Sequence, residues 1–350
     1  MGAATNVILI TGFLGSGKTT FLNRVTKTFP KDLKLMILMN EFGEIGLDGT
    51  LVEGEDLDIL EISKGSIFCV CVKTDFIRAL NEIAQDLKPD VLIVESTGVA
   101  NPSDLKKDLK LSIFKNRFLM QDQICIIDAA CFQDAYQAFV SVEKQIASST
   151  LFVINKVDLV DAAVIEAIKE TIRSHHSSPE FIETTFSDIP TERFFIGLDR
   201  SALNPGYQPG NQSDNPEKSK DRLSEQALET AIEKLLENPD ANATPPDRLL
   251  SAVYTWNGDD IDVFKSLVPL FPKGLIRSKG ILLQGKDTWL FNLVMSQHTI
   301  EPYFPEKDCS LLVNNIVFIG SPEVIKAMEK LSHAYPDLNQ KSVFDPMKNN

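Results

Sequence analysis

Asn6-Val7-Ile8-Leu9-Ile10-Thr11-Gly12-Phe13-Leu14-Gly15-Ser16-Gly17-Lys18-Thr19-Thr20 decides the fold. Its first six residues form an apolar run of the length of a buried strand, and from Lys18 onward apolar residues recur at helical spacing. Between the two, Gly12 to Thr19 is a complete Walker A pattern in the strand-to-helix setting that gives it physical meaning. Glycines at 12, 15 and 17 let the backbone wrap a phosphate so that successive N–H groups point inward, and the helix N-terminus adds its positive dipole. Lys18 is placed to reach the β- and γ-phosphates and the Thr19 hydroxyl to ligate magnesium, with Ser16 and Thr20 completing the phosphate-binding set.

Working outward, apolar strand-like runs at Leu35 to Met39, Val91 to Glu95, Gln123 to Asp128 and Leu151 to Asn155 alternate with helix-like segments at Thr74 to Asp86 and Val160 to Ser174. That alternation predicts an α/β P-loop NTPase domain with a Rossmann-like, mostly parallel sheet over residues 1–200. From Leu203 to Asp221 the composition turns to Pro, Gly, Asn, Ser and charge, so residues 201–246 read as a linker carrying one amphipathic helix. Residues 247–335 alternate shorter strands and helices, as a small α+β domain does, and 336–350 read as a tail.

A P-loop alone does not separate ATP from GTP. Asn155-Lys156-Val157-Asp158 does, because it follows an apolar strand at the carboxyl edge of such a sheet, where bases are read. The Asp158 carboxylate can accept from both N1–H and the exocyclic amine of guanine, whereas adenine offers neither donor; Asn155 and Lys156 belong to the same expected set. Charged hydrogen bonds are worth about 1.5 to 3 kcal/mol each, so the expected ligand is GTP. Glu95, at the end of its strand before Ser96-Thr97-Gly98, is placed to hold Mg. Lys18, Thr19 and Glu95 are therefore the expected catalytic groups. No glutamine follows Gly98, the next residues being Val99-Ala100-Asn101, so intrinsic hydrolysis is expected to be slow. The acidic, glycine-punctuated loop from Asn40 to Asp48 is a candidate segment for ordering around Mg-GTP.

The chain has 350 residues, 43% apolar and 24% charged, an ordinary globular mix, and no apolar run long enough to span a membrane. With 49 acidic and 35 basic residues its net charge is −14, which opposes binding to nucleic acid or anionic lipid. An acidic protein that holds a polyanion must do so by local geometry, which is what the glycine loop supplies. Five cysteines without a disulfide framework point to a reducing, cytoplasmic setting.

Together, Gly12 to Thr20, Asn40 to Asp48, Glu95 to Gly98 and Asn155 to Asp158 closely resemble the CobW family of P-loop GTPases, relatives of the urease and hydrogenase nickel-insertion GTPases. Phe271 to Gly280 resembles the start of a strand in that family's C-terminal domain. The resemblance implies a ferredoxin-like C-terminal domain, GTP hydrolysis, and metal delivery to, or maturation of, a client metalloprotein or corrinoid protein. It also draws attention to Gly65-Ser66-Ile67-Phe68-Cys69-Val70-Cys71, where the family carries Gly-Cys-x-Cys-Cys. Here Ser66 and Phe68 replace the first two cysteines, Cys69 is retained and Cys71 is an addition. In extended backbone Cys69 and Cys71 would share a face and pinch a zinc, cobalt, nickel or copper(I) ion, with Glu44 as a third ligand. The bland alternative is a pair of small buried residues. Two functions follow: a GTPase whose nucleotide state gates metal capture and release, or a GTP-dependent protein-binding switch that ligates no metal of its own.

Overall fold

The computed structural model describes residues 4–40, 58–62, 70–96, 102–114, 116–195, 225–236, 247–304 and 312–345. They form two units, the second beginning at Asp247. Asn40 to Asp48, Thr97 and Gly98, Cys69 and the linker at 203–221 fall, wholly or in their side chains, outside the described residues.

The first unit runs β1 (Thr5–Thr11), α1 (Lys18–Thr28), β2 (Leu35–Asn40), β3 (Asp58–Ile62), α2 (Val70–Glu82), β4 (Val91–Glu95), α3 (Pro102–Leu109), β5 (Phe118–Asp128), α4 (Phe132–Ala138), α5 (Val140–Ser148), β6 (Leu151–Asn155), α6 (Ala162–Arg173), β7 (Glu180–Glu183) and α7 (Glu225–Leu236). Its sheet has the order β3-β2-β4-β1-β5-β6-β7, and every pair is parallel. The alternation of apolar runs and helices dictates this: a parallel strand needs a crossover helix, and helices on both faces bury it completely. β1, β4 and β6 are accordingly buried at every position. Because β1 lies between β4 and β5 while the chain leaves it for distant β2, its carboxyl end opens onto the crevice where ligands of such sheets bind.

Helix α2 begins at Val70, four residues before the expected Thr74, so Cys71 has helical backbone and not the extended conformation that the thiol-pinch argument requires. Phe76 and Leu80 anchor this helix in the same core cluster as Leu92 and Val94 of β4. The helix expected within the linker is part of that core too, since Leu228 and Ile232 of α7 pack into it. Arg78 on α2 bonds Glu229 at 2.9 Å, but both side chains are nearly half exposed, so the two apolar residues hold α7 in place more than the ion pair does.

The second unit runs β8 (Leu250–Trp256), α8 (Ile261–Leu267), β9 (Arg277–Gln284), β10 (Asp287–Val294), β11 (Gln297–Pro302), β12 (Asn315–Gly320), α9 (Pro322–Ser332) and β13 (Leu338–Phe344). Its antiparallel sheet has the order β11-β10-β9-β12-β8-β13. The four strands β8, β9, β12 and β13 stand in the 4-1-3-2 order of a ferredoxin-like βαββαβ unit, and β10 and β11 extend its edge. Phe264 of α8 lies edge-on to Trp256 and Phe291 at 5.2 and 5.0 Å, which fixes that helix on the sheet. Residues 336–350, read from sequence as a tail, contain β13 with Leu338 and Phe344 buried; between those ends the strand is polar apart from an exposed Val343, and it is held by backbone pairing to β8. Among the described residues no helix is long and apolar enough to cross a membrane.

Candidate nucleotide-binding site

The loop between β1 and α1 is built on two glycines where any side chain would be strained. Gly12 has φ +140° and Gly17 has φ +111°, both outside the range L side chains adopt readily. A Cβ at Gly12 would collide with the Ile126 carbonyl oxygen, and one at Gly17 with the Asn155 carboxamide. The loop thus sits directly against β5 on one side and the end of β6 on the other. Gly17→Ala is expected to lower stability by about 1 to 3 kcal/mol, read as a fall in Tm, and to weaken nucleotide binding alongside. An unchanged Tm and unchanged affinity would show that the loop tolerates a side chain there.

Lys18 is 6% exposed, and its ammonium donates to the carbonyls of Gly12 at 3.0 Å and Phe13 at 3.2 Å. The cation is therefore folded over the loop it starts from, where a phosphate would compete for it. Around it the hydroxyls of Thr11, Ser16 and Ser96 are buried with no hydrogen-bond partner among the described residues. Buried hydroxyls of this kind are costly without a polar partner, and a phosphate or its hydration water is such a partner. Glu95 ends β4 opposite Ile10, 6% exposed, so a carboxylate stands beside the loop at the sheet's carboxyl edge. Thr19 and Glu95 offer oxygen, the donor that magnesium prefers.

Asn155 is where the two motifs meet. It is 2% exposed; its Nδ2 donates to the Ser16 carbonyl at 2.8 Å and its Oδ1 accepts from the Ser187 backbone N–H at 2.9 Å. Ser187 Oγ in turn donates to the Gly17 carbonyl at 3.2 Å. Sequence reasoning placed Asn155 among the groups that touch nucleotide; in the structure its carboxamide also joins the phosphate loop to the loop after β7, through one bond at Nδ2 and one at Oδ1. Lys156 adopts φ +62° and donates to Asp128 Oδ2 at 2.5 Å; Asp128 Oδ1 accepts from Ala130 N–H at 3.0 Å. That leaves Asp158 exposed in a short 3-10 turn, its carboxylate presented at the same edge of the sheet.

Asp128, Ser187 and the rest of the loop at 184–188 escaped the sequence reading. Asp128 carries the one signal that could have found it, an acidic residue closing an apolar strand as Glu95 does; Ser187 carries none. Cys125 and Cys131 line a small cavity, about 20 Å³, with Phe13, Phe132, Val142 and Ile146, which holds little more than one water. Burial pushes the Cys125 thiol up to about 12, against the pull of the nearby Lys18 cation. Burial and the Asp128 carboxylate push the Cys131 thiol up to about 11. Both are buried free thiols, as packed core cysteines commonly are. His175 bonds the Tyr136 hydroxyl at 2.8 Å and His176 donates to the Ile146 carbonyl at 2.7 Å, each serving the fold. Among the described residues no group of three His, Cys, Asp or Glu is arranged to hold a metal, and Glu44, Cys69 and the Cys71 side chain lie outside them.

Comparison with known proteins finds relatives for the first unit. The domain family described as CobW/HypB/UreG, nucleotide-binding domain, matches residues 6–183. Among curated proteins, the zinc chaperone YeiR of Escherichia coli K12 is 33% identical over 155 residues, covering 44% of this chain and 47% of its own. The zinc chaperone CobW of a Sinorhizobium species is 27% identical, covering 52% of this chain and 59% of its own. Zinc-regulated GTPase metalloprotein activator 1 of Schizosaccharomyces pombe is 29% identical, covering 55% and 49%. The chain thus spans about half the length of the curated relatives it matches. Among solved structures, the Zn(II)-bound YjiA GTPase of E. coli aligns over 95% of this chain and 98% of its own at 19% identity, with a TM-score of 0.41.

Proposed function

The chain belongs to the CobW/HypB/UreG family of nucleotide-binding domains, and on that footing we propose that it binds Mg-GTP, hydrolyses it to GDP and phosphate, and uses that cycle to handle a transition-metal ion for a client protein. The observation that carries the nucleotide half is the Asn155 carboxamide: one buried side chain joins the phosphate loop to the strand end that presents Asp158. Backbone N–H groups of Gly15 to Lys18 would cradle the β-phosphate, Lys18 would exchange its two carbonyl partners for phosphate oxygens, and Asp158 would accept from the guanine edge. Thr19 and Glu95 would hold the magnesium ion, which supplies charge neutralisation at the β- and γ-oxygens. Hydrolysis is slow in this reading, because no glutamine follows Gly98 to orient the attacking water.

The metal half is supported by the relatives, several of them named zinc chaperones, and by Cys69 and Cys71 in the sequence. The helix that carries Cys71 shares a core cluster with β4, whose end bears Glu95. A shift at the γ-phosphate end of β4 therefore has packed side chains through which to reach that helix. The Cys69→Ser, Cys71→Ser double variant is expected to lose affinity for Zn(II) by more than the roughly 10- to 100-fold that loss of an outer-sphere partner produces, with GTP affinity retained. Competition titration against a chromogenic chelator measures it, and unchanged zinc affinity removes these thiols from the site.

Ser66 and Phe68, where the resembled motif has cysteines, favour the second reading, a GTP-dependent switch that binds a protein and no metal. Elemental analysis of protein purified without chelators separates the two: stoichiometric zinc, cobalt or nickel supports metal handling, and its absence together with metal-independent hydrolysis supports the switch.

A further inference from the structure

Phe186 is 73% exposed, on a loop that is otherwise tightly held. Its backbone and that of Ser187 are both left-handed, with φ +51° and +52°, a conformation unusual for a bulky residue and rarer still in succession. The loop does not relax out of it because every neighbour fixes it. Arg24 donates from Nε to the Phe186 carbonyl at 2.8 Å and pairs with Asp188 at 2.8 Å. Thr184 Oγ1 donates to the Asp188 carbonyl at 2.8 Å, and Ser187, fully buried, is bonded to Asn155 and Gly17. The Val157 N–H donates to the Thr184 carbonyl at 3.3 Å, so this loop runs beside the turn that presents Asp158. A braced backbone thus holds an aromatic ring in solvent, on a loop bonded to the turn that carries a carboxylate suited to the hydrogen-bonding edge of guanine.

We propose that the Phe186 ring is one wall of the purine slot and stacks on the face of the base whose edge Asp158 reads. The inference rests on the GTP reading of this site and deepens it: Asp158 supplies selectivity, which a π-face cannot, and Phe186 supplies affinity common to all purines. Arg24 and Asn155 are positioning residues that keep the ring presented. Because the ring meets only the base, removing it leaves the phosphate loop untouched.

Calorimetry with Mg-GTP and with magnesium tripolyphosphate, which has no base, tests this on the full chain. Phe186→Ala is expected to weaken GTP about tenfold and to leave tripolyphosphate unchanged; alanine meets the same left-handed backbone, so the comparison isolates the ring. Phe186→Trp is expected to restore GTP affinity, with indole emission quenched when GTP binds. If the native chain binds GTP and Phe186→Ala binds it within twofold, the stacking assignment is overturned while the GTP reading stands. Equal losses for GTP and tripolyphosphate also overturn it, because they mark collapse of the loop. A native chain that binds tripolyphosphate but not GTP overturns both.

Discussion

Lys18→Ala is expected to lower the affinity for Mg-GTP by about 10²- to 10³-fold and to abolish hydrolysis at ordinary nucleotide concentrations. Hydrogen bonds to charged partners contribute about 1.5 to 3 kcal/mol each, and Lys18 would make two of them, one to each terminal phosphate. At about 1.4 kcal/mol per tenfold, the pair accounts for the loss. The side chain is 6% exposed, so little solvent would screen it and little water could replace it. In a chain of net charge −14 no diffuse positive field would compensate. Circular dichroism guards against the trivial explanation, since the variant also loses the bonds to the Gly12 and Phe13 carbonyls. Titration showing affinity within tenfold of the native chain, in a folded variant, would remove Lys18 from the phosphate site.

Asp158→Asn is expected to weaken GTP by about a hundredfold and to make XTP the better ligand. A carboxylate only accepts, and guanine offers two donors along that edge. An asparagine accepts with its oxygen and donates with its nitrogen. It therefore matches xanthine, which keeps N1–H but replaces the amine with a carbonyl. The mismatch with guanine sets two donors against each other, and a buried polar group left unpaired costs about 1 to 3 kcal/mol. Asp158 is exposed and lies in a short turn, so stability should be unaffected. The order of GTP, XTP and ATP affinities in native and variant protein decides it: an unchanged order would mean that Asp158 does not read the base.

The parallel domain was legible because burial on two faces writes itself into sequence. Val91 to Glu95 and Leu151 to Asn155 are unbroken or nearly unbroken apolar runs, and both strands have the bounds their composition gives. β11, with sequence Gln-His-Thr-Ile-Glu-Pro and only its isoleucine apolar among non-proline residues, was invisible. An edge strand held by backbone pairing carries little hydrophobic pattern, and the same is true of the middle of β13. Helix α7 was seen as a helix, but which core its apolar stripe covers is a long-range fact that periodicity does not contain. At the site, the residues that motif spacing can name, Gly12, Lys18, Glu95 and Asp158, were legible as candidates. Those that act by holding others were not. Asp128 fastens Lys156, and Ser187 fastens Asn155, through contacts between strand ends distant in the chain. The extended-backbone argument for Cys69 and Cys71 failed at Cys71 because it treated as a strand what proves to be the first turn of α2.

The carboxamide that joins Ser16 to Ser187 has a consequence for how the molecule is born. Its two ends are 139 and 32 residues from Asn155, so a chain emerging from the ribosome exposes its glycine loop long before the groups that brace it exist. At about 5 to 20 residues per second, roughly ten seconds or more separate the making of Lys18 from the making of Ser187, and α7 follows later still. Throughout that interval the nascent segment carries the most recognisable part of the motif without the braces that give it shape. Until translation has passed Ser187, the loop lacks the bonds that fasten it at Ser16 and Gly17.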